Sequence, residues 1–116
     1  MKFVALVAIL PNVDEERAIE VAKEHGAGAV TILSGKQIGL KEKKIFFGLT
    51  LEENVSLLLF VLPRKLSMRV MRAFRAEFDL DEHQNNSIIF TMPLSHVAGL
   101  NNEELHQFED EIKDIL

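Results

Sequence analysis

The run Val55-Ser56-Leu57-Leu58-Leu59-Phe60-Val61-Leu62 decides the fold. It is apolar except for Ser56, and it is bounded by Glu52-Glu53-Asn54 before it and Pro63 after it. A short apolar run with polar punctuation on both sides reads as a buried strand. Its apolar side chains occupy both alternating sets of positions, so both faces of the sheet need cover. Working outward, Pro63 opens a helix over about 64–78, proline being tolerated in a first turn. Leu66, Val70, Ala73 and Phe74 form its apolar stripe. Lys65, Arg69 and Arg72 fall on a neighbouring face, the pattern of a solvated basic surface. Asp79–Asn86 is polar and aperiodic, hence a loop. Ser87–Leu94 is a further strand, closed by Pro93, and Gly99 marks a turn.

Upstream, residues 2–10 are almost entirely apolar and stop at Pro11-Asn12, which reads as a first strand. Asp14 is placed to cap a helix carrying Ala18, Ile19 and Ala22 on one face, and His25-Gly26 ends it. Residues 28–34 return to strand. The core order is therefore β-α-β-β-α-β, an α+β, ferredoxin-like sandwich with both helices on one face of an antiparallel sheet. Between the second and third strands lies a long segment with four lysines, three glycines and Ile45-Phe46-Phe47, which can form a short strand extension. Its length suggests a functional loop, and the plainer alternative is a long hairpin with a solvated tip. The domain occupies residues 1–100, with the loop at 36–53. Residues 101–116 are a separate acidic segment that reads as a third helix from about 102, with Leu105, Phe108, Ile112 and Leu116 as its apolar stripe.

The 116 residues carry a net charge of −5. The first 100 are balanced, with twelve basic and twelve acidic residues, whereas 101–116 hold six acids against Lys113 alone. The whole imbalance sits on the tail. Without a basic field, nucleic acid is an unexpected partner. The chain has no Cys, which excludes disulfides, thiol nucleophiles and thiolate metal sites. No apolar run approaches the roughly 20 residues of a membrane span. Met1-Lys2-Phe3 has no signal-peptide layout, so a soluble cytoplasmic domain without membrane insertion is expected.

Catalytic constellations are not legible. His25, His83, His96 and His106 lack metal-ligand spacing, so no metal site is expected, and no serine sits in a nucleophile elbow. Gly26 and Gly28 precede a strand and lack the third glycine of a dinucleotide fingerprint. RNA recognition on this topology needs stacking aromatics on central strands, but Val55–Leu62 is largely aliphatic. An acylphosphatase-type loop would need Arg and Gly after the first strand, where this chain has Leu10-Pro11-Asn12-Val13. A non-enzymatic role is expected.

Over residues 1–100 the chain resembles the PII signal-transduction (nitrogen regulatory) proteins, as a divergent PII-like member. The resemblance rests on the element order, on the long loop between strands two and three, and on local matches. Ala29-Val30-Thr31-Ile32-Leu33 runs into Ser34-Gly35-Lys36-Gln37-Ile38-Gly39, similar to the start of that family's mobile T-loop. Ile88-Ile89-Phe90-Thr91-Met92-Pro93-Leu94, with His96-Val97, is like its last long strand. The resemblance implies a homotrimer with a small ligand, an adenine nucleotide or small anion, bound between subunits. Thr31, Gly35, Lys36 and Gln37 are the ligand-binding candidates it implies. Gly39, Lys41, Lys43, Lys44, Phe46 and Phe47 are the candidates for docking a partner protein, for which a membrane transporter is one class.

The chain departs from that family at two phosphate-binding places. The loop before the last strand, Asp79–Ser87, contains no Gly or Lys and three acids, and Ala98-Gly99-Leu100-Asn101 stands where arginines usually follow. A triphosphate needs cations or pointed N–H groups, so weak ATP binding is expected. The loop also has no Tyr to modify. A trimeric CutA-like scaffold, with rigid strands in place of a mobile loop, is the competing expectation.

Overall fold

The structure, a computed structural model, describes residues 2–39, 45–46, 49–50, 52–80 and 87–100, with backbone alone for 45–46 and 49–50. Strand β1 (Phe3–Pro11) leads through a 3₁₀ turn, Asn12–Asp14, into helix α1 (Glu15–Glu24). Then follow β2 (Thr31–Gln37), the short β3 (Ile45–Phe46) and β4 (Leu49–Thr50), β5 (Glu53–Pro63), α2 (Arg64–Phe78) and β6 (Ile88–Pro93). The main sheet has the order β2-β5-β1-β6 and every pairing is antiparallel. This is the α+β ferredoxin-like sandwich that the sequence implies. Between β2 and β5, β3 pairs with β4 as a separate two-stranded ribbon.

The core forms because the inward-facing residues of β1 and β5 meet the apolar stripes of both helices. Leu6, Ala8 and Leu10 lie beside Phe60, Leu58 and Ser56 in the β1–β5 register, and all six are fully buried. Above them pack Ala18 and Ala22 of α1 with Leu66, Val70 and Phe74 of α2. The ring of Phe74 sits 6.1 Å from Phe60 and 5.9 Å from Phe78, both tilted, as aromatic quadrupoles prefer. Each of these large side chains contributes about 1.5–3 kcal/mol by leaving water.

Several boundaries differ from the sequence reading. Asp14 makes no side-chain cap. The preceding 3₁₀ turn gives it helical torsions (φ −94°, ψ −2°), so its carboxylate is not aimed back at the helix N–H groups. Pro63 ends β5 and occupies the N-cap position of α2, one residue before the first turn, and Arg64 N–H donates to Lys2 O at 3.0 Å. β2 begins at Thr31, not at residue 28. Gly26 turns the chain with φ 104°, and Gly28, Ala29 and Val30 then line a recess against α1 and Phe60 instead of joining the ladder. β2 also runs further than read: Lys36 pairs with Asn54 and Gln37 with Glu53, so both ends of the segment 36–53 are strand. The expected helix over 102–116 and most of the loop 79–86 lie outside the described residues.

Candidate functional site

The side of the sheet away from the helices carries no layer among the described residues. On β5 the burial alternates, Leu58, Phe60 and Leu62 being buried and Leu57, Leu59 and Val61 half-buried. The half-buried set points to the open side, because side chains alternate across a strand. Register places Leu33 of β2 beside Leu57, Val7 beside Leu59, and Phe90 and Met92 of β6 beside Val7 and Ala5. Leu33 is 54% exposed, Ile88 50%, Met92 45% and Phe90 38%. The result is one continuous apolar face spanning all four strands. The expectation that both faces of β5 need cover is met on the helix side and left open on the other.

The ligand-binding candidates lie along β2 at the edge of this face. Thr31, Gly35 and Gln37 share the open side, whereas Lys36 points to the opposite one. Thr31 pairs with Leu59 and Gln37 with Glu53, so six steps along the strand, about 20 Å at 3.3 Å per residue, separate them. The structure therefore does not bring the four together. A Cβ on Gly35 would meet only Val55 Cγ2, at an ordinary 3.7 Å, so no steric demand requires glycine there.

At the far end of β2, Lys36 Nζ lies 3.3 Å from Glu52 Oε2. The cation expected to serve a ligand is thus engaged by a carboxylate that the sequence reading left in an exposed loop. Gln37 is the opposite case. Its Oε1 is buried and has no hydrogen-bond partner among the described residues. A buried acceptor without a donor is uncommon and marks a place where a further group fits. Gly39 is described and open on all sides, and Phe46 contributes backbone to the β3–β4 ribbon. Lys41, Lys43, Lys44 and Phe47 lie outside the described residues.

The segment after β6 folds back to the start of the chain. Leu94 N–H donates to Phe3 O at 3.1 Å, and residues 94–100 with Lys2, Phe3 and Pro93 line an open recess of about 700 Å³. Gly99 turns this segment with φ 95°.

Two polar clusters were not legible in the sequence. At the top of the core, the fully buried Ser56 hydroxyl donates to Glu15 Oε1 at 2.7 Å and accepts from Asn12 Nδ2 at 3.0 Å. This ties the 3₁₀ turn and the start of α1 to β5. The signal was the single polar residue in the apolar run, although its partners are 44 and 41 residues away. On the helix layer, Arg17 reaches Glu77 of α2 at 2.6 Å and Glu20 at 3.2 Å. The guanidinium lowers the Glu77 carboxyl below its usual range, and the carboxylates raise Arg17 in turn. Among the described residues no group of three or more His, Cys, Asp or Glu is arranged to hold a metal ion. Nor is any helix there long and apolar enough to cross a membrane.

No family model and no curated protein matches the chain. Solved structures do. GlnK of B. subtilis superposes with a TM-score of 0.63 at 11% identity, over 82% of this chain and 87% of its own. CPII of Thiomonas intermedia K12, a nitrogen regulatory PII-like protein bound to ADP, AMP and bicarbonate, gives 0.58 at 14% identity, over 84% and 98%. The periplasmic divalent cation tolerance protein CutA of Archaeoglobus fulgidus gives 0.64 at 14% identity, over 95% and 98%. At these identities the likeness establishes the fold, which is the one shared by PII-like and CutA proteins.

Proposed function

We propose that this chain is a PII-like regulatory protein of the cytoplasm that assembles as a homotrimer, binds a small ligand between subunits and controls a partner protein through residues 36–53. One observation carries the reading. Among the described residues an apolar sheet face without cover adjoins Gln37, whose buried Oε1 lacks a donor there. Further copies laid on that face would remove Leu33, Phe90 and Met92 from water. A ligand N–H or O–H at the seam would satisfy Gln37.

The ligand we favour is an adenine nucleotide with few phosphates, or a small anion. Lys36 is held by Glu52, so the charge at the end of β2 does not favour a triphosphate, and the stretch Asp79–Ser87 brings no lysine or arginine to offset that. The partner class is a protein, either an enzyme or a membrane transporter, docking on the lysines and Phe46-Phe47. No catalytic step is assigned, because among the described residues no acid, base and nucleophile converge at Gln37. A CutA-like scaffold without ligand sensing is the second reading, favoured by the continuation of the β2–β5 ladder through Gln37.

Calorimetric titration of the native protein with AMP, ADP, bicarbonate and Mg-ATP tests the proposal. Saturable binding of at least one of the first three, weakened tenfold or more in Gln37→Ala, is expected. Binding of none of them would favour the scaffold.

A further inference from the structure

α2 and the edge strand β6 leave a cleft between them that nothing among the described residues fills. Met71, Leu80, Ser87 and Ile89 line it around a volume of about 380 Å³, with Arg75 beside them. One helical turn before Met71, Met68 is 53% exposed, extending the apolar floor toward the start of α2. The outer surface of the same helix is basic. Lys65, Arg69 and Arg72 are exposed and make no ion pair among the described residues, in contrast to Arg17 of α1. The cleft thus offers an apolar floor beside the second half of α2, a helix about 22 Å long at 1.5 Å for each of its fifteen residues, whose outer surface is cationic.

We propose that the occupant is the chain's own C-terminal segment, residues 102–116, docked in cis along the α2–β6 cleft. Three observations select it. The first is position. Arg64 N–H bonds to Lys2 O, Leu94 N–H to Phe3 O, and Leu100 shares a recess with Lys2 and Phe3. The described chain therefore ends at the end of the molecule where α2 begins and beside the strand that forms the other wall. The second is length. Fifteen residues in helical form extend about 22 Å, so a segment that starts beside the first turn of α2 reaches the cleft at its far end. The third is chemical complementarity. Leu105, Phe108, Ile112 and Leu116 form one stripe for the apolar floor, and six acids with only Lys113 among them meet Lys65, Arg69 and Arg72. An isolated helix of this length is marginal in water, so its stripe needs a surface of this kind. The docked segment would also cover the outer edge of β6, a ladder edge unpaired among the described residues.

Lys65 is the sole lysine of α2, which permits a test on the native protein. Zero-length carbodiimide coupling at low ionic strength, followed by peptide mass spectrometry of the product that keeps the 13.1 kDa chain mass, reads the contact directly. The expected product joins Lys65 to a carboxylate within 103–114. Because the chain has no cysteine, a second measurement is available. Met71→Cys with Phe108→Cys should cross-link within one chain at least tenfold more efficiently than the control Glu20→Cys with Phe108→Cys on the outer face of α1. Coupling of the tail only between chains, giving twice the chain mass, would overturn docking in cis. Equal cross-linking of the two cysteine pairs, or no product at Lys65, would overturn the surface itself.

Discussion

Ser56 is where one polar atom decides how two elements meet. Its hydroxyl is fully buried, donating to Glu15 and accepting from Asn12, so the start of α1 is fixed to β5 by hydrogen bonds in a dry position. Removing the hydroxyl strands both partners, although Glu15 and Asn12 can still reach water. Ser56→Ala should therefore destabilise the fold by about 1 kcal/mol in urea unfolding, the usual net value of such a bond. No change, or a gain, would show that the cluster is incidental. The second residue-scale prediction concerns Glu77, whose carboxyl Arg17 holds below its usual value. A group with a lowered folded pKa stabilises above its unfolded value, near 4, and loses that contribution as pH falls through the folded one. The melting-temperature gap between the wild type and Glu77→Gln should be largest near pH 7, close below about pH 4, and shrink with salt because both side chains are partly exposed. A gap independent of pH would contradict the ion pair. Neither cluster was legible in advance, because each joins residues far apart in sequence that only the completed fold brings together.

At the scale of elements, hydrophobic period carried most of the information. The bounds of α2 follow from its stripe, and β5 from a run too apolar for anything but a central strand. β2 was legible in existence but not in extent. Residues 28–30 have strand-like composition, yet the positive-φ turn at Gly26 delivers them to a recess beside α1. Lys36 and Gln37 have loop-like neighbours, yet the β5 ladder continues to pair them. That extension separates the candidate site residues: alternation sends Lys36 and Gln37 to opposite faces, and strand rise carries Thr31 away from both. Glu52 was the missed partner, since its carboxylate, one residue before β5, engages the Lys36 ammonium. Mg-ATP should accordingly bind with a dissociation constant weaker than about 100 µM, near or above −5.5 kcal/mol. Lys36→Ala should change that little. A micromolar constant lost in Lys36→Ala would mean that the ion pair opens to phosphate.

At the scale of the whole molecule, the described residues bury one side of the sheet under two helices and leave the other side apolar and open. The sequence already contained this imbalance, because Leu57, Leu59 and Val61 are as apolar as the inward-facing set. It could not say what covers them, since a layer from another chain leaves no mark in the order of elements. Large apolar side chains left partly exposed on β2, β5 and β6 would gain of order 1 kcal/mol each on further burial, enough in sum to hold subunits together. Charge on that face should release them without unfolding the core, because Leu33 and Phe90 make no part of the helix-side packing. The most direct measurement is the native molar mass by light scattering at tens of micromolar. The account predicts three times the 13.1 kDa chain mass, falling to a folded monomer in Leu33→Asp with Phe90→Asp. A wild-type chain that stays monomeric, with the double variant unchanged, would contradict it.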